Sequence, residues 1–494
     1  MPLTEAAEQY SVWVGLIYIF NLIVGTGALT LPAAFTRAGW GLSTIALVFL
    51  AFMSFMNATY VVETMACANA VLKWKRLQSI KRDSIQDHDS EEEISTSQAG
   101  EHLEEPLVCG ASIPSRYYSL DRRIELGEMA NMFLSKTGRI MFYLTLCVYL
   151  YGDLSIYAAA VANSIMDVVC TTVPSNVTNP KEWNLPCFNS STHDSETTYT
   201  RLDFYHVTLL TFVGAMGPFV FFNVQKTKYL QVFTSGMRWL AFAIMISMAI
   251  HLLIANGPQG KPPAFDYTGI PTLFGACVYS FMCHHSLPAL IAPIRGKNHL
   301  GLHLSLDYVL ISVFYLLLAF TGAFAFAHLS DLYTLNFVPS DNENLFLKIV
   351  EYFLALFPVF TLSTSFPIIA ITLRNNLQSL FLDTTNLESY SFVQRKLLFP
   401  IVTVVPPLLL TYFLEDISVL IKFTGSYAGT GIQYVIPTIL VVSARRRCTN
   451  MLGLGVANRH KSPFSHIAWA CFVILWSVMC VILVSVHMFE KNNS

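Results

Sequence analysis

FNLIVGTGALTLPAAFTRAGW, residues 20–40, is the stretch on which the fold turns. It is apolar enough to sit in a bilayer, yet Gly25 and Gly27 flank Thr26 at its centre and Pro32 follows. A helix interrupted there frees backbone N–H and C=O groups that hydrocarbon cannot satisfy. Such a break is tolerated only where it lines a cavity or is buried in protein. A second stretch, PTLFGACVYSFMCHHSLPALIAP at 271–293, carries His284, His285, Ser286 and Pro288 in its middle. Two interrupted apolar segments at corresponding positions of two halves point to the substrate site of a transporter. The half-helix beginning at the break offers open N–H donors and partial positive charge to a carboxylate. The half-helix ending there offers carbonyls to an ammonium or a sodium ion. Glycine lets a ligand approach the backbone directly; the plainer reading of Gly25 and Gly27 is close helix packing.

Working outward, the 494 residues are 54% hydrophobic and 13% charged, about half the charged share of soluble domains. A membrane-crossing helix needs about 20 apolar residues, and eleven such spans are read: 11–36, 40–68, 138–170, 204–222, 231–255, 271–294, 306–328, 347–373, 397–414, 416–444 and 466–489. The fold class is therefore all-α and polytopic. The runs do not alternate in polarity as barrel strands do. The N-terminus, MPLTEAAEQY, has no Lys or Arg and no cleavage pattern, so the first span is expected to act as its own insertion signal. With a cytosolic N-terminus, the short cytosolic loops carry Lys226, Lys228, Arg295, Lys297, Arg374, Arg395, Lys396, Arg445, Arg446, Arg447, Arg459 and Lys461. The opposite loops carry only Lys181, Arg201 and Lys261. Twelve against three fits the positive-inside rule and places the C-terminus outside or in a lumen.

The expected organisation is a cytosolic tail at 1–10, spans one and two at 11–72, a cytosolic insert at 73–137, spans three to five at 138–255, spans six to ten at 256–444, and a cytosolic loop, span eleven and short outer tail at 445–494. The insert opens on Lys73, Lys75, Arg76, Lys81 and Arg82 and passes through DHDSEEEISTS, a composition that reads as disordered. It ends in IELGEMANMFLSKTGR, an amphipathic pattern suited to a short helix on the membrane surface. The loop 171–203 carries glycosylation sequons at Asn176 and Asn189; Asn57-Ala-Thr lies inside a span and is read as an accident. Cys170 and Cys187 bracket that loop and form a disulfide if it faces an oxidising compartment; spacing alone does not assign the pair. No spacing of Cys or His suggests a zinc site.

The chain resembles the amino acid/auxin permease family, within the amino acid–polyamine–organocation transporter group. The family's N-x-x-x-G-x-G-x-L-x-L-P-x-A-F-x-x-A-G-W pattern is matched by Asn21, Gly25, Gly27, Leu29, Leu31, Pro32, Ala34, Phe35, Ala38, Gly39 and Trp40. Its sixth-helix pattern is matched by Phe274, Gly275, Tyr279, Phe281 and Pro288, and ELGE at 125–128 is similar to the amphipathic segment before helix three. The resemblance implies two five-helix inverted repeats plus an eleventh helix, with helices one and six broken. It implies alternating access around a site between helices one, three, six and eight, and transport of amino acids with Na⁺ or H⁺. It also favours the lysosomal membrane over the plasma membrane, and Tyr117-Tyr-Ser-Leu and Tyr390-Ser-Phe-Val fit the loose tyrosine-based sorting pattern. The chain departs from the family in its 65-residue insert and in Cys283-His284-His285 at the sixth-helix break.

The candidate substrate-binding residues are thus Asn21, Gly25, Thr26, Gly27, Tyr279, Cys283, His284 and His285. Asp153, midway along span three, either carries a coupling proton or ion or is a structural carboxylate bonded to Tyr149 or Tyr157. His284 and His285 either meet substrate and acid pH or satisfy the broken backbone. Thr361, Thr364 and Ser365 either coordinate sodium with hydroxyl oxygens, as the resemblance implies, or bond their own helix. Lys422 is expected to snorkel to the outer interface, and GSYAGTG at 425–431 to loosen helix ten or pack it tightly. No cofactor beyond a coupling Na⁺ or H⁺ is implied, and no nucleic-acid partner. No P-loop, G-x-S-x-G or H-E-x-x-H motif supports an enzyme. The competing reading is a nutrient receptor that signals to cytosolic signalling or sorting proteins through 73–137.

Overall fold

The computed structural model describes residues 9–88, 117–170, 183–188, 199–221, 228–337, 344–382, 397–453 and 456–493, without side chains at 81–88, 228–232 and 489–493. Asn176, Asn189, DHDSEEEISTS from residue 89 on and the Tyr390 motif lie outside the described residues. Sixteen α-helices follow in order among the described residues: α1 Val12–Ile23, α2 Thr26–Ala38, α3 Trp40–His88, α4 Leu126–Phe133, α5 Lys136–Val169, α6 Arg201–Met216, α7 Lys228–Asn256 and α8 Ile270–Ser280, then α9 Leu287–Ile291, α10 Leu300–Ala325, α11 Leu345–Ala355, α12 Phe357–Phe381, α13 Phe399–Phe413, α14 Ile417–Phe423, α15 Ile436–Leu452 and α16 Ile467–Asn493. The β structure described is limited to two isolated bridges, Tyr10 with Ile294 and Pro186 with Thr200. Eight helical segments are long and apolar enough to cross a membrane, or nine if α1 and α2 are one span bent by 55°. Many apolar side chains on their outer faces are exposed, Ile254 by 79% and Leu475 by 70%, as a lipid-facing surface requires.

The two broken stretches lie at the centre. α2 packs on α8, α10 on α3, and α12 on α5, so the expected first, second and third spans meet the sixth, seventh and eighth. α2 ends at Gly39, whose φ of +87° turns the chain straight into α3. A side chain there is strained and its Cβ would lie 2.7 Å from the Pro263 carbonyl oxygen. α3 outruns its expected span: the apolar segment Trp40–Ile80 has 41 residues, about 60 Å at helical rise, twice the hydrocarbon thickness. Its far end carries the basic cluster clear of the bilayer. Span ten is interrupted by π-helical turns at Thr424–Gly429 and Gly431–Val435. At the first, a Cβ on Gly425 would stand 2.1 Å from the Gly275 carbonyl oxygen, so GSYAGTG both winds loosely and packs closely.

Several expectations need correction. The amphipathic segment forms α4, but Leu126, Met129, Ala130 and Phe133 are buried against α3, α5 and α15, so its apolar face meets protein. Lys422 is buried at 8% exposure and does not snorkel out. In the Tyr117 sorting motif, Leu120 is 1% exposed and unavailable to a sorting adaptor. Asn57 is fully buried, its amide donating to the Met53 carbonyl and accepting from Thr438, which excludes glycan attachment.

Two further links fasten the bundle. Cys170 and Cys187 form a disulfide with Cα atoms 4.6 Å apart, tying the end of α5 to the segment before α6. Glu63 of α3, 2% exposed, takes a bidentate pair from Arg445 of α15 (2.8 and 2.7 Å) and a third hydrogen bond from the Ser462 amide. Arg445 also donates to the Ser465 carbonyl and lies over the Tyr60 ring. Removing one member of a buried pair leaves the other charge uncompensated; with Arg445 still 21% exposed, Glu63→Ala is expected to cost about 3 kcal/mol, read as a lowered unfolding temperature of the purified protein. Maleimide labelling of denatured, unreduced protein should leave Cys170 and Cys187 unmodified until a reductant is added; labelling without reductant would place them on a reducing face.

Candidate functional site

The break in the first span falls at Val24 and Gly25. α1 ends with the Val24 amide bonded to the Phe20 carbonyl, and α2 begins at Thr26 with no side-chain cap at Gly25. The first amides of α2 thus open toward the centre with the positive end of the helix dipole behind them. The break in the sixth span runs from Phe281 to Ser286, between α8 and α9. One side chain meets both: the Tyr315 hydroxyl of α10 lies 3.0 Å from the Ile23 carbonyl oxygen and 2.9 Å from that of Ser280.

Gly25 and Gly27 separate in role. A Cβ on Gly25 would meet nothing within 4 Å. A Cβ on Gly27 would stand 2.5 Å from the Ser280 Cα. Gly27 therefore permits close packing of α2 on α8, the plainer of its two readings, and Gly25 borders open space. Asn21 is 8% exposed with neither side-chain polar atom bonded, and the buried Thr26 hydroxyl stands near Tyr157 without a well-formed hydrogen bond. Unpartnered buried polar groups are costly, and these two flank the open glycine.

Asp153 of α5 is buried and accepts a 2.5 Å hydrogen bond from Tyr279, the penultimate residue of α8. The expected tyrosine partners were Tyr149 and Tyr157; the structure supplies Tyr279 instead. Asp153 and Tyr279 thus join the third span to the sixth-span break. The three residues inside that break diverge. His284 Nε2 faces the Ser54 carbonyl of α3 at 3.1 Å, leaving Nδ1 without a partner. Cys283 Sγ lies 3.2 Å from the Tyr308 hydroxyl of α10. The His285 ring stands 5.7 Å from that of Tyr149, its Nδ1 unpartnered. So Asn21, Gly25 and Thr26 belong to the first break and Tyr279, with Asp153 bonded to it, to the sixth, whereas Cys283 turns toward α10 and His284 toward α3.

On the side of α12, the hydroxyls of Thr361, Thr364 and Ser365 bond carbonyls of their own helix, at 3.0 Å to Phe357 and at 2.8 and 3.1 Å to Thr361. The helix-end carbonyls expected to serve a sodium ion are engaged elsewhere. Arg238 of α7 donates from one guanidinium nitrogen to the carbonyls of both Asn21 and Val24. None of the ion pairs found among the described residues includes Arg238, so the negative end of α1 is the partner of its charge. Arg238 is the functional residue that the sequence reading missed, although a lone arginine in the apolar run TSGMRWLAFAI was the signal for it. Asp307 of α10 was missed too: it is 4% exposed, with one carboxylate oxygen unpartnered, beside Tyr308. Nothing in the local sequence marks Tyr315 as the residue that bridges the breaks.

The profile of the family described as transmembrane amino acid transporter protein matches residues 8–75 and 108–489. Over 98% of both chains the sequence is 52% identical to the Transmembrane protein 104 homolog of Drosophila melanogaster. It is 46% identical over 98% of both chains to Transmembrane protein 104 of Homo sapiens. The chain belongs to the transmembrane amino acid transporter family. Its fold is similar to that of MhsT in complex with L-phenylalanine, with TM-score 0.52 and 12% identity over 97% of this chain and 99% of that one. Family and fold together are those of a multi-pass membrane transporter.

The two glycines should respond oppositely to substitution. Gly25→Leu fills open space and should leave the unfolding temperature near wild type while abolishing small-molecule binding. Gly27→Ala pushes backbone from backbone and should cost about 1–3 kcal/mol of stability. Ligand-induced thermal shifts on purified variants separate the two; normal binding by Gly25→Leu would remove Gly25 from the site.

Proposed function

We propose that the protein is a secondary active transporter of amino acids or related small amines, working by alternating access with proton coupling and no requirement for sodium. The observation that carries this reading is the pairing at the first break. The uncapped start of α2 and the open face of Gly25 suit a carboxylate. The carbonyls at the end of α1 are already held by Arg238. A tethered guanidinium supplies there the positive charge that a sodium ion would bring. Asp153, hydrogen-bonded to Tyr279 at the opposite break, is the proposed proton carrier. Losing or gaining a proton there changes the bond that links the third span to the sixth. Thr361, Thr364 and Ser365 then support helix packing through their own backbone.

The full topology proposed is eleven spans in two inverted five-helix repeats plus one. It counts the bent α1–α2 pair, the α8–α9 pair and the short α13 as one span each. The N-terminus is proposed to be cytosolic, and the lysosomal membrane is the proposed location through family resemblance. Latches exist at both ends. On one face Arg37, ending α2, pairs with Asp331 at 2.5 Å and donates to Ser418 at the start of α14 (2.7 Å). On the other, the Tyr10 hydroxyl donates to the Leu290 carbonyl of α9. Alternating access requires these contacts to open in turn. The receptor reading rests on the insert, and no observation within the described residues favours it.

Proteoliposomes of the full-length protein, given a pool of isotope-labelled amino acids and an acid gradient, test this directly. Uptake of one chemical class should rise with acid on the entry side, survive replacement of sodium by choline, and fall by more than tenfold in Asp153→Asn, as expected for loss of an essential proton carrier. Uptake abolished by choline would sink the sodium-independent mechanism. The absence of any uptake, alongside a ligand-induced thermal shift, would favour the receptor.

A further inference from the structure

Where the first and sixth spans meet the face bearing the basic loops lies a cavity of about 760 Å³. It is not part of the transport site, and its wall is strongly cationic. Lys73 comes from α3, Arg295 and Lys297 from the loop after α9, and Arg459 and His460 from the loop before α16; Asp121 is the one carboxylate in the lining. Three separate segments therefore bring five basic groups to one concavity. Like charges so gathered repel one another across a partly dehydrated space unless an anion joins them.

The cations are held in place. Lys297 Nζ donates to the Leu120 and Ala292 carbonyls at 2.9 and 2.8 Å, with Asp121 farther off at 3.7 Å and 81% exposed. Lys73 Nζ donates to Ser119 Oγ at 2.8 Å, and Arg295 Nε to Gln9 Oε1 at 2.9 Å. The hydrogen bonds of Lys297 and Arg295 go to neutral oxygens, which orient the charges without cancelling them. Burial, then the adjoining Lys297 and Arg459, holds the His460 imidazole below its usual range, and burial holds the Lys297 ammonium below its own. A bound anion reverses both effects, since it favours the protonated forms.

We propose that this cavity is a binding site for a multiply charged phosphate-bearing anion, held by Lys73, Arg295, Lys297, Arg459 and His460 together. Arginine forks and lysine point charges suit phosphate oxygens. The volume exceeds a single phosphate and fits a polyphosphorylated ring. The chemistry has two sources: the headgroup of an anionic lipid, whose leaflet attracts basic groups at the membrane surface, or a soluble inositol phosphate. Either links the transporter's two broken spans from the same end. The Tyr10 amide bonds to the Pro293 carbonyl and the Arg295 amide to that of Tyr10, so the start of α1 is already strapped to the cavity wall. Filling the cavity tightens that strap and holds this face closed.

The test uses the full-length purified protein. Inositol hexakisphosphate is added in detergent, and phosphatidylinositol bisphosphate is supplied in phosphatidylcholine nanodiscs, with sulfate as the control anion. The expected result is a dose-dependent rise in unfolding temperature in at least one arm. Arg459 is exposed, so Arg459→Gln should fold normally and weaken the response about tenfold, as loss of one charged hydrogen-bond donor does. Lys297→Gln should weaken it further. A response to lipid alone identifies a headgroup, and a response to the soluble probe alone identifies a free phosphate. No shift in either arm, an equal shift with sulfate, or an undiminished shift in Arg459→Gln would overturn the proposal.

Discussion

Everything in this bundle answers to one constraint: a helix broken inside an apolar medium must find partners for the backbone groups it frees. Both central breaks meet it from neighbouring helices. The Tyr315 hydroxyl stands between the Ile23 and Ser280 carbonyls, and Arg238 holds those of Asn21 and Val24. What these two side chains leave open is the other end, the amides that begin α2, and there Gly25 and the unpartnered Asn21 side chain lie. The proposed site is thus what this hydrogen bonding leaves over: the carbonyls of Asn21, Ile23, Val24 and Ser280 have side-chain donors, while α2 begins without a side-chain cap.

Arg238 reshapes the chemistry expected of such a site. A cation free to leave and a cation tethered to α7 occupy the same carbonyls with similar electrostatics, but only the first can be exchanged across the membrane. On the proposed reading, the guanidinium fixes the charge at that end of α1 and the coupling step falls to a group elsewhere. Asp153 offers it, because its bond to Tyr279 spans two helices whose relative position matters for access. The Glu63–Arg445 pair plays the opposite part. Three hydrogen bonds on a carboxylate with 2% exposure fasten α3 to α15 and the loop before α16, which makes that side a rigid frame.

Individual residues show how local pattern and tertiary contact divide the explanation. The two glycines of Gly-Thr-Gly look equivalent in sequence. Only the approach of Ser280 makes Gly27 a packing residue and leaves Gly25 as the open one. The histidine pair was equally ambiguous: His284 turns to the α3 backbone while His285 faces Tyr149, a division set by helices far away in the chain. The amphipathic pattern before α5 was read correctly as a helix, but its apolar face found protein instead of lipid because α3, α5 and α15 converge there.

By itself the sequence determined the solvent and the class of fold. Long apolar runs, few charges and two interrupted segments admit little else than a polytopic helical transporter, because hydrogen bonding in hydrocarbon allows so few solutions. Its breaks are written locally, in Gly-Thr-Gly and His-His-Ser-Leu-Pro, since helix propensity is a local property. Which atoms meet at those breaks was decided only by the tertiary structure. Tyr315 lies 292 residues from Ile23 and Arg238 lies 217 from Asn21. No periodicity encodes such partners, because they depend on how separately formed helices pack, and packing is a sum over the whole bundle.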